Sequence, residues 1–476
     1  MTHALVIAVF IAAFAADGMA PTDGVARGWH LAWTLGGFAL ILIVGARWIG
    51  RCARRFEASG RSSWIVRAER AAAATRVAAV GWHATTVLTF GALDGWRGLF
   101  GPLPYAGDAV VLAQPLMVFV GTLWAFYPIE RQIRESVLLR DVERGDPVRP
   151  VPSRRSYVVS GTRQQLGLVA LPLGCIYAWG IVVAWAWGRW DLPGAGALDA
   201  LAQFAGAIGV FVLVPPLMRR VLDAAPIERG PLRDSLVELG RSHGVRFRRV
   251  LVWRTGGSQV NGAVMGLVAP LRYVMLTDGL LSSLPEREIE GVMAHEVAHV
   301  RRHHILWLGL TVVGAVSLVG TPLGWLGMLV GAWVGSPGTA ELVAMALALA
   351  LALGALGFVS RRFEWQADAF AVKHLAGWRG RGAIQITPDA ALAMISALNR
   401  VAALNGIDPA TRGWRHGSIA VRSARIRALV GRRTDRLAID REAAAVKAAV
   451  AVAAVVGAVL VAADVALDLL APGMPV

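Results

Sequence analysis

HEVAHVRRHHILWLGLTVVGAVSLVG, residues 295–320, joins two kinds of sequence at one seam. Its first five residues have the spacing H-E-x-x-H. Positions i and i+4 of a helix lie on one face, so His295 and His299 can share one metal ion. Glu296 lies beside them, within reach of a water on that metal. Zinc lowers the pKa of such a water, and a neighbouring Glu can accept its proton as the water attacks a carbonyl. The pattern alone arises by chance in about one chain in a hundred of this composition, so its context has to be tested. SSLPEREIEGVMAHEVAHVRRHH, 282–304, reads as one helix, with Ser283 and Glu286 as a capping box and Pro285 in its first turn. From Ile305 onward the chain is apolar, so the motif stands where a helix meets a membrane.

A catalytic zinc needs a third protein ligand and an open position. A His six residues past the second motif His would make the site metzincin-like. That position is Ile305, and the Gly that pattern requires is Arg302, so this arrangement is excluded. His303 and His304 sit on the same expected helix, where geometry makes a third ligand awkward. They read as polar residues at the membrane interface. The better candidate is Glu364 in RRFEWQADAF, 361–370. It opens the helix that leaves the second span of a membrane hairpin, and the hairpin returns the chain to the side it left. Asp368 is one turn further on the same face, where a carboxylate can hold a ligand His in one tautomer.

The rest of the chain supports a membrane setting. Of 476 residues, 56% are hydrophobic and 17% charged, against about a quarter charged in soluble domains. Apolar blocks at about 4–19, 30–48, 77–94, 109–126, 166–187, 197–217, 305–330, 340–359 and 447–467 suggest roughly nine spans. The net charge of +16 is carried almost wholly by Arg. Arg residues crowd alternate loops, such as Arg47 to Arg76 and Arg131 to Arg163. Positive-inside logic puts those loops, the amino terminus and segments 218–304 and 360–446 in the cytoplasm, and the carboxyl terminus outside. LVIAVFIAAFAAD, 5–17, lacks a basic start and reads as an anchor rather than a cleaved signal. Cys52 and Cys175 are the only cysteines, so neither a disulfide framework nor a Cys metal site is expected. The preference for Arg over Lys suggests GC-rich coding, hence a bacterial inner-membrane protein.

The expected fold is mainly α: a polytopic membrane protein with a zincin-like catalytic domain set between its spans. Residues 1–217 would form a six-span membrane region. Residues 218–440 would form the metallopeptidase domain, including a two-span hairpin at about 305–359 that turns at GSPG. Residues 441–476 would carry the last span. Within the domain, PLRDSLVELGRSHGV reads as an amphipathic helix with a Gly stop. RFRRVLVWRT and QVNGAVMGLVAPLRYVMLT read as short strands broken by Gly and Pro. Residues 388–440 read as helical, with a loop near 405–418.

HEVAHV, a membrane hairpin and FEWQADAF together resemble the membrane-bound gluzincin endopeptidases, the HtpX and CAAX-prenyl protease type. NGAVMG and YVMLTDGLLSSLPEREIEGVMAHEVAHVRRHH extend the resemblance, as does WRHGSIAVRSARIRAL, and it covers about 218–440. It implies one zinc ion on His295, His299 and Glu364, with Glu296 as general base and Asp368 behind the ligands. It implies that His416 stabilises the oxyanion, and that Asn261 begins an edge that binds substrate backbone by strand addition. Two departures stand out. Gly417 follows His416 where the family usually has Pro, and the family's Arg matches Arg422 by spacing or Arg425 by its RIRAL context.

The expected activity is therefore zinc-dependent cleavage of membrane or membrane-associated proteins on the cytoplasmic side. The alternative is a catalytically silent receptor or scaffold on the same fold, against which the intact ligands and base argue. A metal transporter would want ligands within several spans, and the apolar blocks are nearly free of them. The basic loops lack interleaved aromatics, so nucleic acid is not an expected partner. His83, inside an apolar block, reads as a helix-packing residue, His30 as interfacial, and Pro215 and Pro216 as ending or kinking a span. Substrate, cleavage site and oligomeric state are not encoded in any motif.

Overall fold

The structure, a computed structural model, describes residues 2–17, 27–101, 105–144, 151–190, 195–257, 259–334 and 337–470. His30 lies in a helix, but its side chain is outside that description. The chain divides into two compact units: Met1–Pro193 with Ala202–Val210 and Arg220–Leu222, and Asp223–Val476 with Gly194–Leu201 and Phe211–Arg219.

The first unit is helical: α1 (Thr2–Asp17), α2 (Arg27–Ser59), α3 (Ser63–Leu88), α4 (Ala92–Leu99), α5 (Ala106–Arg144), α6 (Arg154–Thr162) and α7 (Leu168–Trp190). The helices run well past the expected spans, so much of each Arg-rich stretch is helix rather than loop. His83 is buried, with Nε2 3.0 Å from Val9 O, so it ties α3 to α1. α8 (Ala195–Leu213) and α9 (Pro215–Val221) follow and are divided between the two units.

Among the described residues, five helical stretches are long and apolar enough to cross a membrane: Leu31–Ser59, Ala106–Leu139, Arg154–Arg189, His304–Gly327 and Ala438–Asp464. A sixth exists if Leu201–Leu213 and Pro215–Val221, bent by 54°, form one broken span. Pro215 and Pro216 stand at that bend, because proline removes backbone donors and clashes with the preceding turn. The expected nine spans thus shrink. The 16-residue α1 falls short of the roughly 20 residues a span needs. The block at 77–94 is divided between α3 and α4. The block at 340–359 lies in the 39-residue α15 (Pro337–Leu375), about 58 Å long at helical rise, enough to cross and still carry Glu364 beyond. Part of the GSPG turn lies outside the described residues.

The second unit holds the sheet. β1 (Ala224–Pro226), β2 (Arg249–Trp253), β3 (Gly262–Met265) and β4 (Tyr273–Thr277) lie in the order β1-β2-β4-β3. β2 and β4 are parallel, and β3 runs antiparallel to β4 at the edge. Every residue of β4 is buried, as its unbroken run YVMLT requires. α10 (Pro231–Ser242) ends before Gly244, whose φ of +68° makes it the expected stop.

α11 (Asp278–Ser283) and α12 (Glu286–Arg301) replace the single helix expected over 282–304. Ser283 ends α11, so the expected capping box does not form. Pro285 caps α12 instead, and its carbonyl accepts from Glu288 and Ile289. Ser283 keeps helical backbone in α11, whereas an N-cap needs an extended one, and Pro285, at φ −60° but extended ψ, forces the break. α12 in turn stops at Arg302. His303 adopts φ +56°, and α13 (His304–Ala315) sets off in a new direction. α14 (Thr321–Val334), α15, α16 (Pro388–Leu404), α17 (Ile419–Arg427) and α18 (Ala438–Leu470) complete the unit. Met293, Ala294, Val297 and Ala298 of α12 pack into one core with Phe370, Val372 and Met394. That core clamps α12 between the sheet, α15 and α16.

Candidate metal centre

α12 turns His295, Glu296 and His299 away from that core, because its opposite face carries the apolar residues. Glu288 locks its first turn, accepting from Ser396 Oγ at 2.7 Å and Arg400 Nε at 3.0 Å of α16. α15 then lays Glu364 and Asp368 across it.

Among the described residues, His295, His299 and Glu364 form a group able to hold a metal ion. His295 Nε2 and His299 Nε2 are 3.2 Å apart. Glu364 lies 3.5 Å from the first through Oε2 and 3.8 Å from the second through Oε1. Donors at about 2.0–2.1 Å from a four-coordinate zinc stand about 3.3–3.4 Å apart, so this triangle fits one zinc ion. The charges fit as well. Glu364 and Asp368 bring two buried carboxylates against the single guanidinium of Arg422, leaving room for a cation.

The electrostatics follow from that balance. Burial pushes the Glu296 carboxyl up to about 7, the nearby imidazole of His295 opposing and the Glu364 charge adding to it. Burial would also raise Glu364, but hydrogen bonds from His295 and His416 and the charge of Arg422 hold it well below the carboxylate range. Burial works against protonated His295, yet Asp368 and Glu364 outweigh it and raise that ring to about 10. His299, for which burial dominates, is held at about 4. The two carboxylates thus favour positive charge in the site, as a metal ion would supply.

Asp368 Oδ1 sits 3.0 Å from His295 Nδ1, at hydrogen-bond distance but off the ideal direction. Arg422 grips the same carboxylate through Nε at 2.8 Å and Nη2 at 2.6 Å, and its Nη1 lies 3.4 Å from Glu364. Between the two candidate arginines the structure makes a choice. Arg422 is buried in the centre, whereas Arg425 points outward, 3.5 Å over the Trp365 ring and 4.0 Å from Glu442.

His416 reaches the centre from the loop between α16 and α17. Its Nδ1 is 2.9 Å from Glu364 Oε1, while the side chain stays largely solvent-exposed. Gly413 and Gly417 exchange two backbone hydrogen bonds and close the turn that presents it. Gly417 has φ +72°, which the proline ring forbids, so this turn could not carry the family's Pro.

The centre opens into a cleft of about 880 Å³, lined by β3, α12, α16 and this loop. Asn261 lies on its wall. Its backbone pairs with Thr277, and its side-chain oxygen accepts from Gly262 N at 3.0 Å. Gly262 lets β3 lie against α12: a Cβ there would stand 2.9 Å from Val292 Cγ1. Asn405 holds the approach to that edge, donating to Val260 O and accepting from Val260 N.

A further expectation is overturned here. His304 is not an interfacial surface residue. It is fully buried, stacked on Phe363 at 4.3 Å, with Nδ1 3.0 Å from His299 Nδ1. In an unbroken helix, five residues carry a side chain about 140° round from its starting face. The break at His303 cancels that rotation, and no local pattern announces it.

Residues 226–407 match peptidase family M48. The "Protease HtpX homolog" of Bacteroides fragilis is 26% identical over 211 residues, covering 41% of this chain and 61% of that protein. The one from Persephonella marina is 30% identical over 155 residues, covering 30% of this chain and 51% of its own length. The chain therefore spans between half and about three fifths of these relatives. The crystal structure of S. mikatae Ste24p is 16% identical, with a TM-score of 0.46, covering 86% of this chain and all of that one.

Proposed function

We propose that this multi-pass membrane protein, whose residues 226–407 match peptidase family M48, is a zinc-dependent endopeptidase. Its substrates are membrane or membrane-associated proteins, cut on the cytoplasmic side of a bacterial inner membrane. One observation carries the reading: His295, His299 and Glu364 form a zinc-sized triangle directly beside a half-buried carboxyl, Glu296.

Zinc held by those three residues would polarise a water molecule and the scissile carbonyl. Glu296 takes the proton of the attacking water and later passes it to the leaving amine. A carboxylate placed beside the water's position suits both transfers. His416 stands at the mouth of the centre, where its ring can donate to the developing oxyanion. Arg422 keeps Asp368 ionised, and Asp368 orients His295. The β3 edge lines the cleft beside Glu296, where it can align an extended substrate by strand addition.

The test is cleavage of an unfolded protein by purified, zinc-loaded wild type and Glu296→Gln. We expect equal zinc content and a roughly 10²–10⁴-fold loss of rate in the variant. Equal rates would remove Glu296 from the mechanism. No cleavage by zinc-loaded wild type across a panel of unfolded and membrane substrates would favour the silent scaffold. No zinc in the wild type would refute the centre itself.

A further inference from the structure

We infer that His304, Gln366 and Asp440 form a hydrogen-bonded chain that dictates the tautomer of His299 and so aims its Nε2 at the metal position. This rests on the reading of His299 as a ligand and adds positioning residues to it.

The chain has four links within the second unit. His299 Nδ1 meets His304 Nδ1 at 3.0 Å, and His304 Nε2 meets Gln366 Oε1 at 3.0 Å. Gln366 Nε2 donates to Asp440 Oδ1 at 2.7 Å, and Lys373 Nζ donates to Asp440 Oδ2 at 2.7 Å. Each polarity follows from its neighbour. An ion-paired carboxylate only accepts, so the NH₂ of Gln366 faces Asp440 and its oxygen faces His304. His304 must then carry its proton on Nε2, which leaves a lone pair on Nδ1. His299 donates Nδ1–H to that lone pair, and its own lone pair falls on Nε2, the atom 3.2 Å from His295 Nε2. Phe363, stacked on His304 with rings 4° from parallel, prevents the ring from turning.

The two imidazoles are thus held differently. His295 has a carboxylate beside it, in Asp368. His299 has one three groups away, on α18. The helix that ends the described chain thereby sets the proton positions on a ligand borne by α12.

The near-isosteric variant Asp440→Asn tests the direction of the chain. Lys373 Nζ, at 2.7 Å, holds the introduced oxygen against the weaker pull of Arg302 Nη2, 3.5 Å from Oδ1, so the NH₂ faces Gln366 and turns the Gln366 amide over. The inversion passes through His304 and places a proton on His299 Nε2. We expect zinc affinity, measured by chelator competition on the full-length protein in detergent, to fall about 10–100-fold. Nitrogen NMR of histidine-labelled, zinc-free protein should show the His299 tautomer reversed. Adding Gln366→Glu restores an acceptor facing both neighbours, so the double variant should recover both readouts. An Asp440→Asn affinity within twofold of wild type, or a double variant no better than the single, overturns the inference. Wild type without zinc would overturn the parent reading instead, and this one with it.

Discussion

Arg422 and Asp368 meet through two parallel hydrogen bonds, at 2.8 and 2.6 Å, with both side chains buried. Removing one partner strands the other's charge in the protein interior. We expect Arg422→Ala to destabilise the domain by about 3–5 kcal/mol. Arg425→Ala, three residues away and exposed, should stay within about 0.5 kcal/mol. Thermal or denaturant unfolding in detergent compares them. Equal losses would refute the placement of Arg422 at the centre.

His416 contacts Glu364 from an exposed turn that depends on Gly417. His416→Ala should retain zinc and lose about 10²–10³-fold in kcat, as expected for a lost oxyanion donor. Gly417→Pro cannot adopt the positive φ and should show the same loss without touching the imidazole. Full activity in the proline variant would mean that this turn does not position His416.

Gly262 admits the edge strand to within van der Waals contact of α12. In Gly262→Val the strand must move off the helix, while the ligands on α12 and α15 stay in place. The expected signature is a lower kcat/KM for protein substrates with zinc affinity preserved. A parallel loss of zinc would show that β3 braces the centre itself rather than the substrate.

His243 lies away from the centre, buried against Phe370, with Nε2 2.8 Å from His374 Nδ1, whose other nitrogen meets Glu290 at 2.8 Å. Burial, helped by the positive neighbours His374, Arg379 and Arg301, lowers its pKa to about 4. A depressed folded pKa means that the unfolded chain binds the proton more readily. The stability this neutral ring contributes is therefore present above about pH 6.5 and lost as pH falls towards 4. Stability curves between pH 7 and 4 should drop by a few kcal/mol, on the order of two to three pKa units. His243→Phe should flatten that limb. An unchanged slope would assign the loss to other groups.

The amino-acid order by itself determined the class of the protein and the heart of its candidate centre. Apolar blocks dictate helices in a membrane because unpaired backbone groups cannot be left in lipid. His295, Glu296 and His299 are legible because their geometry is local, set by the pitch of a single helix. Glu364 and Asp368 are legible because a membrane hairpin has to return the chain to its starting side. Only tertiary structure decided the remainder. Arg422 and Arg425 share one short helix, and only its packing against α15 shows which guanidinium is buried. His304 reads as interfacial because a helix break one residue before it cannot be seen in its spacing. Asp440 is merely the last residue of the stretch 388–440 in the sequence, yet it meets Gln366 across 74 residues. Local periodicity states which face a residue occupies; it cannot state which distant residue will occupy the space opposite.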